Sequence, residues 1–313
     1  MRWLAKAALQ KGLSALPAAE RANYVFQRHV TRTLPASEAA LRRKMRRART
    51  HFEAFLEHGS RPADAAVFYE FGVGWDLAVP LCLWVLGVER QVLTDVRPNV
   101  RLALVNETIR RLHRLVGEVS AEQDAVRDPG SAPLESLEEL ERRFGIVYLA
   151  PLDARATALP DASVDFITST NTFEHIPAED VTPVLAECRR LVRTDGGLSF
   201  RIDLCDHFSY HDSTVSPYGF LRYSPRSWKL INSSLLFQNR LRHPDYLRAF
   251  EEAGLAVVAE ERAGPTDDDL RTLAELDVAD EFAGYTPQEL GVRVLNVVLR
   301  PTHGRADGSP DAP

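Results

Sequence analysis

The order of secondary-structure signals after residue 65 is the feature that most constrains the fold. Short runs rich in β-branched and aromatic residues alternate there with segments of helical periodicity. Parallel strands need long crossovers, usually helices, so this alternation predicts a mainly parallel sheet with helices on both faces. The predicted strands are Ala66–Phe71, Gln91–Asp95, Ile146–Leu149, Val164–Thr170, Leu198–Asp203, Ala256–Glu261 and Val292–Leu299. The predicted helices are Asp76–Leu86, Asn99–Val119, Leu134–Phe144, Ala178–Val192 and Pro244–Ala253.

Residues 1–60 predict a basic helical arm in front of this α/β domain. Residues 1–50 hold 12 Lys and Arg against 2 acids, whereas the rest of the chain holds 26 against 42. Helical spacing predicts helices over residues 4–16, 18–31 and 37–58, the last with Ser37 as N-cap and Gly59 at its end. The cluster Leu41–Arg49 could contact a phosphate-bearing substrate, an anionic membrane or nucleic acid, or lie solvated on the acidic body. No nucleic acid is expected, because aromatic residues are not interleaved with the cluster.

The α/β domain is predicted to span residues 61–300, with an insertion at about 204–243 and a disordered tail over 301–313. The longest apolar stretch, Leu77–Val88, is too short to cross a bilayer. Cys82, Cys188 and Cys205 are scattered, which favours reduced thiols over disulfides or a zinc site. We therefore expect a cytoplasmic protein, with peripheral membrane association through the basic arm left open.

The first predicted strand ends in an acid, Glu70, and breaks into a loop that contains Gly72 and Gly74. Ligands of open parallel sheets gather at the carboxyl ends of the strands, and a glycine loop lets the backbone approach such a ligand closely. Asp95 closes the second strand 21 positions after Gly74, the separation at which an acid can accept hydrogen bonds from ribose hydroxyls. The alternative is an ordinary turn in which Asp95 caps a helix near Pro98.

The glycine loop departs from the dinucleotide-binding pattern. That pattern requires a small residue three positions after the second glycine, where this chain has Leu77, preceded by Asp76. A carboxylate there would repel a pyrophosphate, whereas Glu70 and Asp76 suit a ligand with a cationic centre. A NAD-dependent oxidoreductase therefore remains only an alternative.

The chain resembles the class I S-adenosylmethionine-dependent methyltransferases over about residues 60–205. The segments that carry the resemblance are Glu70-Phe71-Gly72-Val73-Gly74, Asp95, Asp153-Ala154, Leu159 through Ile167, and Glu174 through Pro177. The resemblance implies a Rossmann-like α/β fold whose sheet has seven strands, the last one antiparallel, with Val292–Leu299 as that strand.

The same resemblance implies S-adenosyl-L-methionine as cofactor and S-adenosyl-L-homocysteine as product. Gly72 and Gly74 would pass beneath the methionine part, and Glu70 would support that loop or the amino group. Asp95 would hold the ribose, and Asp153 would accept from the adenine amine. Two further residues would lie beside the cofactor: Ala154 and Asn171.

Titratable residues are dense after the fifth predicted strand, from Asp203 to Asp212. His207, oriented by Asp206, is the leading candidate for a general base, because imidazole titrates near neutral pH. His211, next to Asp212, is the second candidate. The carboxylates of Asp203, Asp206 and Asp212 could instead hold Mg²⁺, or merely cap turns.

A second polar group consists of candidate acceptor-binding residues: His175, Arg240, Arg242, His243 and Tyr246. The two arginines could hold an anionic acceptor in bidentate contacts, or form salt bridges within the protein. His175 could contact the acceptor or only fix the loop after the fourth strand. Residues 213–237 are rich in aromatic residues and predict a wall of the acceptor pocket.

These patterns predict methyl transfer to a hydroxyl of a sugar, polyol or natural product, with His207 as general base. The partner would be a small-molecule acceptor, such as a glycan or a phosphate-bearing compound. Amine and carboxylate acceptors remain open. A non-catalytic binding subunit with the same fold is a further alternative.

Overall fold

The computed structural model describes residues 11, 24, 34–119, 126–210, 212–234 and 237–302. The helices predicted over residues 4–16 and 18–31 lie outside the described residues except for Lys11 and Tyr24. His211 and residues 303–313 also lie outside them. None of the helices in the described part combines the length and the apolar character that a membrane span requires.

The described strands form one sheet in the order β3-β2-β1-β4-β5-β7-β6. Pairing is parallel from β3 to β5, whereas β7 lies antiparallel between β5 and β6. The predicted seven-stranded sheet with an antiparallel last strand is confirmed. The strands are β1 Val67–Phe71, β2 Arg90–Thr94, β3 Ile146–Leu149, β4 Val164–Thr170, β5 Val192–Asp203, β6 Leu255–Ala263 and β7 Val294–Pro301.

Helices connect these strands, and most lie within a few residues of their predicted positions. Three short ones, α6, α8 and α9, were not predicted. The helices are α1 Glu38–His58, α2 Ala78–Val85, α3 Leu102–Val119, α4 Glu139–Phe144, α5 Ala178–Leu191, α6 Pro225–Ile231, α7 His243–Glu252, α8 Asp267–Ala274 and α9 Pro287–Leu290.

Helix α1 is a layer of the α/β domain rather than a detached arm. Its N-cap is Ser37, whose side chain accepts a hydrogen bond from the Ala40 amide, and Gly59 ends it, as predicted. Its buried Phe55 packs edge-on against Phe68 of β1 and Phe166 of β4, at ring-centroid distances of 4.8 and 5.4 Å. In the described part of the chain, the boundary expected at residue 60 therefore does not separate two domains.

The predicted insertion builds a small core of its own beside the carboxyl ends of β4 and β5. Aromatic side chains of the insertion pack there against α8, α9 and the turn between them. The buried members of this core are Phe208, Tyr218, Phe220, Leu221, Trp228, Leu273, Phe282 and Leu290. The insertion thus packs on a segment far away in sequence, and none of its described residues lines the cavity at the carboxyl ends of β1 and β2.

Candidate cofactor and acceptor site

A cavity opens at the carboxyl ends of β1 and β2, where the strand order reverses from β1 to β4. Ligands of open α/β sheets bind at such a switch point. The cavity brings together five of the residues predicted from the sequence: Gly72, Asp95, Asp153, Ala154 and His175. It is also lined by residues that the sequence did not single out, among them Thr94, Arg155, Thr172, Ile176 and Asp180.

The glycine loop needs its two glycines for different reasons. Gly72 has a φ of 72°, and a Cβ there would lie 2.3 Å from Thr172 Cγ2. Gly74 has a φ of 76°, but a Cβ there would have no heavy atom within 4 Å. Backbone conformation alone therefore selects Gly74, whereas both conformation and the approach of Thr172 select Gly72. Gly72 lines the cavity and Gly74 does not.

Asp95 lies just beyond the last residue of β2, at the rim of the cavity. Only 7% of the residue is exposed, and this burial raises the pKa of its carboxyl to about 7. The Tyr148 hydroxyl donates to its Oδ2 at 3.2 Å. Helix α3 begins only at Leu102, so Asp95 does not cap it. Its carboxylate is placed to accept further hydrogen bonds from a ligand.

Asp153 and Ala154 lie on the opposite wall, in the loop after β3. Arg155 holds the Asp153 carboxylate, with Nη2 2.7 Å from Oδ2, and this hydrogen bond lowers the pKa of Asp153. Arg155 also reaches Asp180 of α5 at 2.6 Å. The guanidinium thus ties the loop to α5, a link that the sequence did not indicate.

Glu70, Asp76 and Asn171 do not line the cavity. Glu70 is buried within β1, and desolvation raises the pKa of its carboxyl to about 8. Lys44 of α1 binds both oxygens of Asp76, at 2.8 and 2.9 Å. The interpretation of Asp76 as an unpaired acid facing a cationic ligand is therefore wrong. Asn171, with a φ of 56°, donates from Nδ2 to Asp203 at 3.3 Å.

Two histidines meet next to the cavity. His175 Nδ1 donates to the main-chain carbonyl of Phe237, with an N–O distance of 2.6 Å. The His175 and His207 rings lie edge to face, with centroids 5.0 Å apart. Burial lowers the pKa of His175, so its ring is neutral at physiological pH. His175 both fixes the loop after β4 and faces the cavity, which combines the two roles considered for it.

The His207 ring lies beside Asp203 rather than beside Asp206. Its Nε2 lies 3.7 Å from Asp203 Oδ2, and 12% of its side chain is exposed. Asp206 turns away, because its Oδ1 accepts a hydrogen bond from the Phe208 amide at 2.9 Å and begins a short helical turn. The pairing of His207 with Asp206 predicted from the sequence is corrected on this point.

The aspartates considered for Mg²⁺ do not converge in the described part of the chain. Asp203 Oδ2 accepts from the Tyr210 hydroxyl at 2.6 Å, and Asp206 caps the turn just described. Asp212 Oδ1 accepts from the Thr214 hydroxyl at 2.6 Å. Each aspartate thus stabilises a local turn or contact, and the magnesium site proposed from these three residues is not formed.

Glu174 is a site residue that the sequence analysis did not assign. It is 2% exposed, and both of its carboxyl oxygens lack a hydrogen-bond partner. Burial raises the pKa of Glu174 well above its usual value, and the negative charge of Asp203 adds to the effect. One oxygen of Glu174 and one ring nitrogen each of His175 and His207 lie within 4.8 Å of one another.

Both candidate acceptor arginines are structural. Arg242 is fully buried and donates to the main-chain carbonyls of Leu204, Leu290 and Val292. Arg240 donates to the carbonyls of Phe220 and Tyr223 and pairs with Glu281, while Trp228 and Phe282 cover its guanidinium. These groups use the donors that a bidentate acceptor contact would need, so the assignment to the acceptor is wrong for both.

Tyr246 and His243 belong to helix α7 and its packing. Tyr246 is fully buried, and its hydroxyl lies 3.2 Å from Asn239 Nδ2. His243 Nε2 lies 3.1 Å from Glu260 Oε1 of β6. Neither residue lines the cavity, so their assignment to the acceptor site is also corrected.

Comparison with known proteins agrees with this fold. Residues 126–200 match the family described as "Methyltransferase domain". No curated protein matches the chain. The match covers less than half of the chain, and the order of the strands and the cavity at their carboxyl ends agree with it.

Solved structures with a similar chain trace include three at low sequence identity. A protein of Pyrococcus horikoshii OT3 is 12% identical, with a TM-score of 0.48 over 88% of this chain and 98% of that one. Geranyl diphosphate C-methyltransferase from Streptomyces coelicolor A3(2) is 11% identical, with a TM-score of 0.48 over 84% and 82%. The YcgJ protein of Bacillus subtilis is 13% identical, with a TM-score of 0.44 over 82% and 100%.

Proposed function

We propose that this protein is an S-adenosylmethionine-dependent methyltransferase that transfers the methyl group to a hydroxyl of a sugar, a polyol or a natural product. The observation that carries this proposal is the position of His207. Its Nε2 lies 3.7 Å from Asp203 Oδ2, and its ring contacts His175, which lines the cavity. A hydroxyl must lose its proton during methylation, whereas a neutral amine or a carboxylate already presents a lone pair. A proton-accepting group held next to the cavity therefore favours a hydroxyl acceptor.

The lining of the cavity supports one pose of the cofactor. The methionine part would lie over Gly72, the ribose hydroxyls would bind the Asp95 carboxylate, and the adenine would lie between Ala154 and the α5 wall. His175, neutral because of its burial, faces the cavity without repelling a sulfonium cation. The acceptor hydroxyl would then enter from the side of the insertion, in line with the methyl group and the sulfur.

The proton of the acceptor passes to the pair of His207 and Asp203. The oxygen attacks the methyl carbon as the carbon–sulfur bond breaks, and that bond's electrons stay on the sulfur. The products are the methyl ether and neutral S-adenosyl-L-homocysteine. Alignment and proton removal are the two contributions that the protein makes to this displacement.

The charges near the site favour a narrower class of acceptor. Burial and the positive charge of Arg201 both lower the pKa of Arg47 on α1, whereas the negative charge of Asp203 raises it. Two arginines that influence each other in this way favour an anionic group such as phosphate or carboxylate on the acceptor. The three described cysteines are buried free thiols, which supports a reducing, cytoplasmic setting for the reaction.

The test combines binding and transfer. Calorimetry with S-adenosylhomocysteine should give saturable binding, whereas NAD should give none. Labelled S-adenosylmethionine, offered with panels of sugars, polyols, amines and carboxylic acids, should label a hydroxyl compound. His207→Gln should lower kcat by roughly 100-fold or more while the affinity for S-adenosylhomocysteine changes less than about twofold.

Asp206→Asn is the matched control for this variant. Asp206 neighbours His207 in sequence but caps a turn, so its replacement should alter kcat far less. Transfer to an amine or a carboxylate, with no effect of His207→Gln, would contradict the hydroxyl proposal. Saturable binding of NAD in the same cavity would instead favour the oxidoreductase alternative.

A further inference from the structure

We propose that Glu174, His175 and His207 bind a divalent first-row transition-metal ion beside the cofactor cavity. The three side chains come from the loop after β4 and the turn after β5, which are adjacent strands of the sheet. Among the described residues, they form the one group of three or more potential ligands whose ligand atoms come this close, within 4.8 Å. The site lies where the acceptor hydroxyl would arrive.

The distances suit a small ion. Ligand atoms about 2.1 Å from a metal lie roughly 3.0–3.5 Å from each other in octahedral or tetrahedral geometry. The spacing of up to 4.8 Å therefore needs only a side-chain adjustment of about an ångström to close around an ion. With three protein ligands, one position of a tetrahedral ion or three positions of an octahedral ion would be open to water and to the acceptor oxygen.

His175 is already held in the form that a ligand requires. Its Nδ1 donates to the Phe237 carbonyl at 2.6 Å, so Nε2 keeps its lone pair. A hydrogen bond from the second ring nitrogen to a carbonyl is the usual way in which proteins orient a metal-binding imidazole. Phe237 belongs to the insertion, so this hydrogen bond links His175 to the part of the chain from which the acceptor would enter.

Glu174 supplies the second, independent observation. The side chain is 2% exposed, and neither carboxyl oxygen has a hydrogen-bond partner. A buried carboxyl that has no partner is costly to the fold, and a divalent cation between it and the two imidazoles would compensate its charge.

The ligand set indicates which ions fit. Two of the three ligands are imidazole nitrogens, which favour Zn²⁺, Co²⁺, Fe²⁺ or Mn²⁺. Mg²⁺ and Ca²⁺ prefer sites made only of oxygen ligands, so they should bind much more weakly here. The site therefore differs in both residues and metal class from the magnesium site considered in the sequence analysis.

The role of the ion rests on the proposed function. An acceptor hydroxyl bound to the ion becomes more acidic, and its proton passes to Asp203, 3.7 Å from His207. The resulting alkoxide attacks the methyl carbon, and the electrons of the broken carbon–sulfur bond remain on sulfur. His207 is then a metal ligand and no longer the base, and this change of role is what the experiment separates.

The experiment measures metal binding directly. The full-length protein is stripped with a chelator, and Co²⁺ is titrated by calorimetry and by its visible absorption, with Zn²⁺ and Mg²⁺ in parallel. We expect one Co²⁺ per chain with a dissociation constant in the micromolar range or below. Zn²⁺ should compete for this site, and Mg²⁺ should fail to compete at a 100-fold excess.

Two variants and one control assign the binding to this cluster. Glu174→Gln and His207→Ala should each weaken Co²⁺ binding at least tenfold, the loss expected when one ligand of a metal site is removed. His113→Gln changes a histidine on α3 that pairs with Asp128, far from the cluster in sequence, and should bind Co²⁺ like the wild type. Should Glu174→Gln fail to fold, as judged by circular dichroism, His207→Ala carries the test alone, because its side chain is partly exposed.

The outcomes separate this inference from the proposed function. Equal Co²⁺ binding by the wild type and His207→Ala, or no binding at all, overturns the metal site. If the stripped protein then still methylates a hydroxyl at an unchanged rate, the proposed function stands, with His207 as the base. If the wild type binds one Co²⁺ and the variants lose it, the metal site is supported. If the wild type also transfers no methyl group to any hydroxyl, the hydroxyl proposal is contradicted.

Discussion

Asp95 shows at the scale of one residue how a ligand site lowers the stability of the unliganded protein. Its burial raises the pKa of the carboxyl from 3.8 to about 7. The folded protein therefore holds one more proton than the unfolded chain between about pH 4 and pH 7, so stability falls as the pH rises through this window. The loss is on the order of a few kcal/mol when the carboxylate is fully ionised.

Asp95→Asn should therefore raise stability and weaken cofactor binding at once. Without cofactor, the melting temperature of the variant should match that of the wild type near pH 4 and exceed it at pH 8. At pH 8 the affinity for S-adenosylhomocysteine should fall about tenfold, since the charged acceptor for the ribose hydroxyls is lost. Wild-type affinity should itself increase as the pH rises through about 7, because the carboxyl then ionises.

The difference between variant and wild type reports mainly on Asp95. Asp206, with a pKa of about 6, contributes equally to both proteins. Besides burial, the negative charge of Asp95 is one cause of the raised pKa of Glu70, about 8, so Asp95→Asn should also lower the pKa of Glu70. Asp268→Asn is the control, since the Asp268 side chain is 84% exposed. A variant that melts lower than the wild type at pH 8, with unchanged cofactor affinity, would remove Asp95 from the ribose role.

At the scale of elements, the contact between α1 and the loop before α2 depends on one ion pair. Lys44 Nζ lies 2.8 Å from Asp76 Oδ1, and the two side chains are 30% and 4% exposed. Asp76 Oδ1 also accepts from the Ala78 amide at 3.3 Å, at the start of α2. Removing Lys44 would leave a nearly buried carboxylate without its cation, which is more costly than losing an exposed pair.

Lys44→Ala should lower the free energy of unfolding by about 2 kcal/mol, measured by urea denaturation. Arg42→Ala provides the comparison, because Arg42 and Glu38 form an exposed pair on the same helix and should contribute less than about 0.5 kcal/mol. The double variant Lys44→Ala/Asp76→Asn should recover part of the loss. Equal effects of Lys44→Ala and Arg42→Ala would show that the ion pair does not stabilise the α1 contact.

The sequence predicted the elements whose pattern is local and long. Strand β4, Val164–Thr170, and strand β3, Ile146–Leu149, have the predicted bounds, because continuous apolar runs flanked by turns mark buried strands well. Helices α6, α8 and α9 have 7, 8 and 4 residues and were missed. Their stability comes from the small core that they share with the insertion, and such packing leaves little periodicity within so short a segment.

The site residues likewise fall into two groups: those that a local pattern predicts and those whose position depends on distant parts of the chain. Gly72 and Asp95 follow strands directly, so their place at the sheet edge could be predicted from the strands alone. Arg240 and Arg242 have side chains that reach carbonyls brought near by distant parts of the chain, and spacing in sequence carries no sign of this. The sequence analysis did not assign a role to Glu174 for the same reason. That its carboxyl oxygens lack a hydrogen-bond partner becomes visible only when the elements around it are packed.

At the scale of the whole molecule, the two described residues of the N-terminal segment, Lys11 and Tyr24, contact distant parts of the chain. The Tyr24 ring stacks on Trp75, next to Gly74, at a centroid distance of 5.4 Å. Lys11 Nζ donates to the carbonyls of Lys229 and Asn232, at 3.0 and 2.8 Å, at the C-terminal end of α6. Residues far from the α/β domain in sequence thus contact the glycine loop on one side and the insertion on the other.

Deleting residues 1–33 should therefore affect cofactor and acceptor together, and point variants should separate the two effects. Tyr24→Ala should weaken S-adenosylhomocysteine binding about two- to tenfold in calorimetry, the range expected for one lost aromatic pair. Lys11→Ala should leave that affinity unchanged and raise the KM of the acceptor, since it releases only the end of α6. If the deletion changes neither quantity while the protein melts cooperatively, the segment contributes packing alone, and the site is complete within residues 34–302.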